Sequence, residues 1–85
     1  MNTLSLILVD ERENGKVLRE QILSIPDAYQ VLDECTEIYE TNGIYLVNEV
    51  NVDTHTLYRQ FATKEDGLVL TLVLCGGRAI SVRQV

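Results

Sequence analysis

One proline, five glycines, two cysteines and one histidine are all that the 85-residue chain holds of these types, and each scarcity excludes something. With so little proline, and with 46% hydrophobic residues against 24% charged, the composition is that of a globular domain; a disordered segment is poorer in apolar residues and richer in Pro or Ser. Cys35 and Cys75 stand forty residues apart with no second pair and no histidine cluster beside them, which is no metal-ligand spacing. No apolar run approaches the ~18 residues of a membrane span, and Met1-Asn2-Thr3 lacks the basic start of a signal peptide. The expected setting is the cytoplasm, with no membrane partner and both thiols free. Seven Lys and Arg against thirteen Asp and Glu leave no basic surface of the kind that binds nucleic acid directly. Eighty-five residues supply one core, so residues 1–85 are expected to form a single domain without repeats.

The hydrophobic pattern then assigns elements. Thr3 to Arg12 and Lys16 to Ile25 flank Asn14-Gly15, the dipeptide of a two-residue type I′ hairpin turn. That turn sets Glu13 opposite Lys16, Asp10 opposite Arg19, Ile7 opposite Ile22 and Leu4 opposite Ile25, so opposite charges meet near the turn and apolar residues at the far end. Leu18, Ile22 and Ile25 also suit a 3.6-residue period, which makes a helix from residue 16 the competing reading; the hairpin is preferred. Ser24-Ile25-Pro26-Asp27 reads as a helix start, with Ser24 as N-cap and Asp27 at the positive end of the dipole. Ala28, Val31, Leu32, Cys35, Ile38 and Tyr39 follow as one buried stripe, and Asn42-Gly43 supplies the left-handed stop. Ile44 to Val52 alternates as a half-buried strand. Thr56 to Thr63, Leu68 to Cys75 and Arg78 to Val85 are three more, separated by Asp66-Gly67 and Gly76-Gly77.

The expected fold class is α+β: an antiparallel β-sheet of five to six strands, in the order ββαββββ, packed against one amphipathic α-helix. The fifth strand has Leu68, Leu70, Leu72 and Leu74 on one face and Val69, Val73 and Cys75 on the other, and one helix covers only one of them. A homodimer through the uncovered apolar face is therefore expected, or a sheet that curls on itself.

Charge is distributed unevenly. Between Glu20 and Tyr58 stand eight acids and no Lys or Arg, while the flanks together carry +2. The densest part is the outer side of the helix, where Asp33, Glu34, Glu37 and Glu40 project, with Tyr29 at its edge. The bland reading is a solvated face that aids solubility. The functional reading is a partner-binding patch made of Asp33, Glu34, Glu37, Glu40 and Tyr29, directed at a basic protein surface such as that of a nucleic-acid-binding enzyme.

Catalytic chemistry finds little support. His55 is the lone histidine and falls in a polar turn, and a Cys75–His55 dyad lacks any context for an activated thiolate. Cys75-Gly76-Gly77-Arg78 resembles an anion nest only weakly, since a tight turn explains its glycines. Helical carboxylates without a loop do not build a divalent-ion shell. The expectation is thus no catalytic residue, no cofactor and no metal. What remains is a small acidic interaction protein, an inhibitor or accessory factor of phage or mobile-element type that occludes a basic, nucleic-acid-handling target. The rivals are a homo-oligomeric module that binds a small ligand or serves a structural role, and a Cys75-dependent thiol function.

Overall fold

In a computed structural model the described residues are 2–76. They form β1 (Thr3–Asp10), a 3₁₀ turn (Glu11–Glu13), β2 (Lys16–Ser24), α1 (Ile25–Thr41), β3 (Tyr45–Asp53), β4 (Thr56–Thr63) and β5 (Gly67–Gly76). The strands make one five-stranded antiparallel sheet in the order β2-β1-β5-β4-β3, so the expected α+β class holds. The expected strand Arg78–Val85 lies outside the described residues. Both sides of β5 are already taken, by β1 and β4; Thr71 and Val73 pair with Val9 and Ile7, and Val73 also with Tyr58.

Why β5 sits at the centre follows from its sequence. Gly67–Gly76 reads GLVLTLVLCG, apolar on both faces, and only a central strand with covered neighbours keeps both out of water. On the helix side Leu4, Leu6, Leu57, Phe61, Leu72 and Leu74 are buried against Ala28 and Leu32 of α1. Phe61 is fully buried and meets Tyr39 edge to face, with ring centroids 5.1 Å apart. A smaller cluster of Ile7, Val9 and Val73 lies on the opposite face, with Val17 and Cys75 half-buried beside it. At its margin the Thr71 hydroxyl donates to the Glu11 carboxylate of the 3₁₀ turn. The second face of β5 is therefore already out of water within one chain, with Val73 6% and Thr71 5% exposed. The apolar surface left in solvent lies elsewhere.

Helix α1 spans the sheet from the end of one edge strand, β2, to the start of the other, β3. Ser24 caps it, its hydroxyl accepting from the Asp27 N–H at 3.3 Å, and Pro26 occupies the first turn, where its missing N–H costs nothing. Asn42 closes the far end through N–H donations to the Ile38 and Tyr39 carbonyls, and Gly43 takes φ +81°, a left-handed position that suits glycine. One member of the expected buried stripe is misplaced: Ile38 is 58% exposed.

Three further expectations are corrected. The β1–β2 connection is longer than a two-residue turn: Asn14 and Gly15 do take positive φ, 56° and 75°, but they follow the 3₁₀ turn, and Gly15 N–H bonds back to the Asp10 carbonyl at 3.0 Å. The register moves with it, pairing Asp10 with Lys16, Ile7 with Glu20 and Leu4 with Leu23, with a bulge at Leu18. β3 is exposed along its whole length rather than half-buried, because it is an edge strand and bulges at Val47 and Val52 break its alternation. In β5 the extra residue opposite Phe61–Ala62 is Val69. It joins the helix-side core with Leu70, while Leu68 turns out to 40% exposure.

Candidate functional site: the outer face of the helix

The acids expected to form one patch divide into two groups. Asp33 is held by Arg59 of β4, whose Nη1 donates to Asp33 Oδ1 at 2.9 Å and to Thr36 Oγ1 at 3.0 Å, while its Nε donates to Glu49 Oε2 of β3 at 2.6 Å. Thr36 in turn donates to the Leu32 carbonyl at 2.9 Å. One guanidinium thus ties helix, β4 and β3 together. Arg59 lies between Leu57 and Phe61 on the core-facing register of β4, and its side chain is only 18% exposed. Burial disfavours its charge, but Glu49 and Asp33 outweigh that and hold it above the ordinary arginine range.

Tyr29 is likewise structural. Its ring packs against the core and its hydroxyl donates to the Thr54 carbonyl at 3.3 Å, pinning the β3–β4 turn to the first turns of the helix. In that turn the His55 N–H, aided by the Thr56 hydroxyl, holds the Asp53 carboxyl below its usual range. His55 Nδ1 is enclosed without a hydrogen-bond partner among the described residues.

Glu34, Glu37 and Glu40 remain. All three are exposed and make no ion pair among the described residues. Spaced three apart, they follow one another along the helix surface at roughly 5–6 Å intervals. They occupy its C-terminal half, and Glu40 stands in the last turn, where the macrodipole is negative and no basic residue is present. Glu34 and Glu37, with Ile38, Thr41 and Asn42, line an open depression of about 580 Å³. An exposed isoleucine set among carboxylates is an apolar anchor within a polar rim.

Two residues of this region escaped the sequence reading. Ile38 was assigned to the core by period alone. Arg59 had a signal, being the one base between Arg19 and Lys64 and standing on the same strand face as Leu57 and Phe61, where a cation requires a carboxylate.

The thiols and metal-type ligands give no second site. Cys35 and Cys75 are both free. Burial, and then the charge of Glu20, push the Cys75 thiol up, the reverse of an activated thiolate. Among the described residues no group of three or more His, Cys, Asp or Glu converges as metal ligands do, and no helix is long and apolar enough to cross a membrane. Comparison with known proteins finds no matching family model, curated protein or solved structure.

Proposed function

We propose that the protein works by binding a basic macromolecular surface through the C-terminal half of α1, with Glu34, Glu37 and Glu40 as the charged contacts and Ile38 as the apolar anchor. The observation that carries this reading is a row of three carboxylates without ion pairs among the described residues, running into the last turn of a helix that has no basic residue there, around an isoleucine that is 58% exposed. Glu40 opposes the helix dipole and the three acids repel one another; both costs turn to gains when a cationic partner arrives, and an apolar group on that partner would cover Ile38. The protein acts by occupancy rather than by chemistry, as an inhibitor or accessory factor that covers the basic groove of a nucleic-acid-handling protein. Asp33 and Tyr29 belong to the scaffold that positions the face.

Heparin-immobilised basic proteins from the native host, depleted and then probed with the purified chain, identify the target. The Glu34→Gln, Glu37→Gln, Glu40→Gln triple variant then tests the site. Charge-steered contacts of this kind lose roughly 10- to 100-fold in affinity when three carboxylates are neutralised, and wild-type binding weakens steeply with salt. Equal affinity for wild type and triple variant would refute the assignment.

A further inference from the structure

The sheet has two apolar faces and one helix. α1 packs over Leu4, Leu6, Leu72 and Leu74, yet on the opposite face Ile7 is 0%, Val73 6% and Ser5 8% exposed. Neighbours within the sheet do not produce such burial. Glu20 and Val73, which pair with Ile7 across the strands, shield its flanks, but the outer end of a side chain leaves water only under a second layer, about 10 Å from the sheet. Among the described residues the element on that side is the 3₁₀ turn, whose Glu11 reaches Thr71. That accounts for Thr71 and its partner Val9. It stops two residues short of Val73 and Ile7 and four short of Ser5. The cover over these residues is also narrow: Ile22, paired with Ser5 on β2, is 70% exposed, and Tyr58, paired with Val73 on β4, is 38% exposed. Its footprint is thus β1 and β5, two strand spacings or about 10 Å, the width of one extended chain. This burial is present within a single copy of the protein, so it calls for no partner.

We propose that residues 77–85 supply the cover, folding back as an extended segment along β1 and β5 with Ile80 and Val82 set on Ile7 and Val73. The segment leaves β5 at Gly76, directly after Cys75 of the covered face, and Gly76-Gly77 permits the reversal. It has no place beside β5, whose two sides are held by β1 and β4. A strand added at either edge would lie in the plane of the sheet and leave Ile7 in water. The reach suffices: nine residues extend to about 30 Å, against about 10 Å to rise one layer and about 10 Å to run back from Gly76 to Val73. Ile80 and Val82 stand two apart and so share one side of an extended chain, with Arg78 and Gln84 at its ends. Charge agrees as well. Residues 77–85 hold two arginines and no acid, so the net charge of −6 divides into +2 there and −8 in the rest, and Glu20 stands on the covered face opposite Ile7.

Methyl nuclear Overhauser spectra of the full chain test this. The expected result is cross-peaks from the Ile80 and Val82 methyls to those of Ile7 and Val73, independent of protein concentration and absent between copies when labelled and unlabelled chains are mixed. A second readout is the Cys75 thiol, half-buried on the same face, followed in a Cys35→Ala background. Ile80→Ser with Val82→Ser should speed its alkylation by iodoacetamide at least about tenfold, as release of a local cover does, and Ile22→Thr on the uncovered margin should leave the rate within about twofold. The wild-type cross-peaks decide the matter even where the double variant fails to fold. Their absence, cross-peaks to β2 or β3 in their place, cross-peaks between copies, or an unchanged alkylation rate in a folded double variant would each overturn the proposal.

Discussion

Replacing Arg59 by methionine removes the charge while keeping most of the stem, and so isolates the electrostatic part of the clamp between α1, β4 and β3. Three hydrogen bonds are lost, at 2.6 Å to Glu49, 2.9 Å to Asp33 and 3.0 Å to Thr36. They are not equal. Asp33 is 70% exposed, so its share is that of a surface pair, about 0.5 kcal/mol. Glu49 is 36% exposed and meets a guanidinium that is 18% exposed, which places that bond at about 1–1.5 kcal/mol, toward the charge-assisted range. Thr36 adds about 0.5 kcal/mol. Against these stands the relief of a partly desolvated cation, since burial is the largest single influence on Arg59 and opposes its charge.

The net expectation for Arg59→Met is a loss of about 1.5–2 kcal/mol, which in a chain of this size lowers the melting temperature by roughly 6–15 °C. Urea unfolding followed by circular dichroism reads the same quantity with m unchanged. Glu49→Gln should cost about 1 kcal/mol and Asp33→Asn about half that, and a double-mutant cycle between residues 59 and 49 should show the larger coupling. If Arg59→Met melts within about 2 °C of wild type, or if the coupling to residue 33 exceeds that to residue 49, the clamp does not work as described.

Other outcomes follow from the same geometry. Glu40→Gln should raise stability by about 0.3–1 kcal/mol, because it removes negative charge from the last turn of α1, and Glu37→Gln by about 0.2–0.5 kcal/mol, because it relieves the like charges of Glu34 and Glu40 three residues to either side; a loss of stability on thermal melting would contradict the argument. Burial, and then the neighbouring Cys35, push the Tyr39 phenol up to about 12, so in a spectrophotometric titration one tyrosine should ionise about two pH units after the free phenols. The folded state holds that proton where the unfolded chain releases it. The stability Tyr39 contributes is thus complete below pH ~10 and lost as pH rises toward 12, and Tyr39→Phe should flatten that decline. Phe61→Ala should cost about 3–5 kcal/mol, since Phe61 is fully buried against α1, and equilibrium unfolding that finds less than half of this would show that the core re-forms around the gap.

Local signals placed the elements, and non-local pairing decided what local signals could not. Ser24, Pro26 and Asn42-Gly43 bracketed α1 because caps act within a turn of themselves. The ends of β4 were legible because turn residues bracket it, Asp53-Thr54-His55 before Thr56 and Asp66-Gly67 after Thr63. The β1–β2 register was missed because Asn14-Gly15 carries the same backbone preference whether it forms the whole loop or the last two residues of a longer one. Bulges defeat period-two reading in the same manner: one extra residue at Val47, Val52 or Val69 turns the following side chains to the other face, and nothing in a run of valines and leucines marks which residue is extra. The site was half legible. A helical wheel brings Asp33, Glu34, Glu37 and Glu40 to one side, but the division between scaffold and free face depends on Arg59, a residue 26 positions from Asp33.

The eight-acid segment is therefore less uniform in space than along the chain. Asp27 lies in the first turn of α1, where negative charge is favourable. Asp33 and Glu49 share Arg59, Asp53 accepts hydrogen bonds within its own turn, and Glu20 is engaged as well. Each of these placements satisfies a local rule. Glu40 breaks one, since the last turn of a helix favours cations and this one has none, and Glu34 and Glu37 continue the same unpaired like-charged row on the turns before it. Local rules in folded proteins are broken chiefly where function demands it, and the breach coincides with the exposed Ile38, whose position breaks a second rule by leaving an apolar side chain outside the buried stripe. Two independent departures on the same two turns of helix, in a segment whose other acids are each favourably placed, are what single out this face from the rest of an acidic surface.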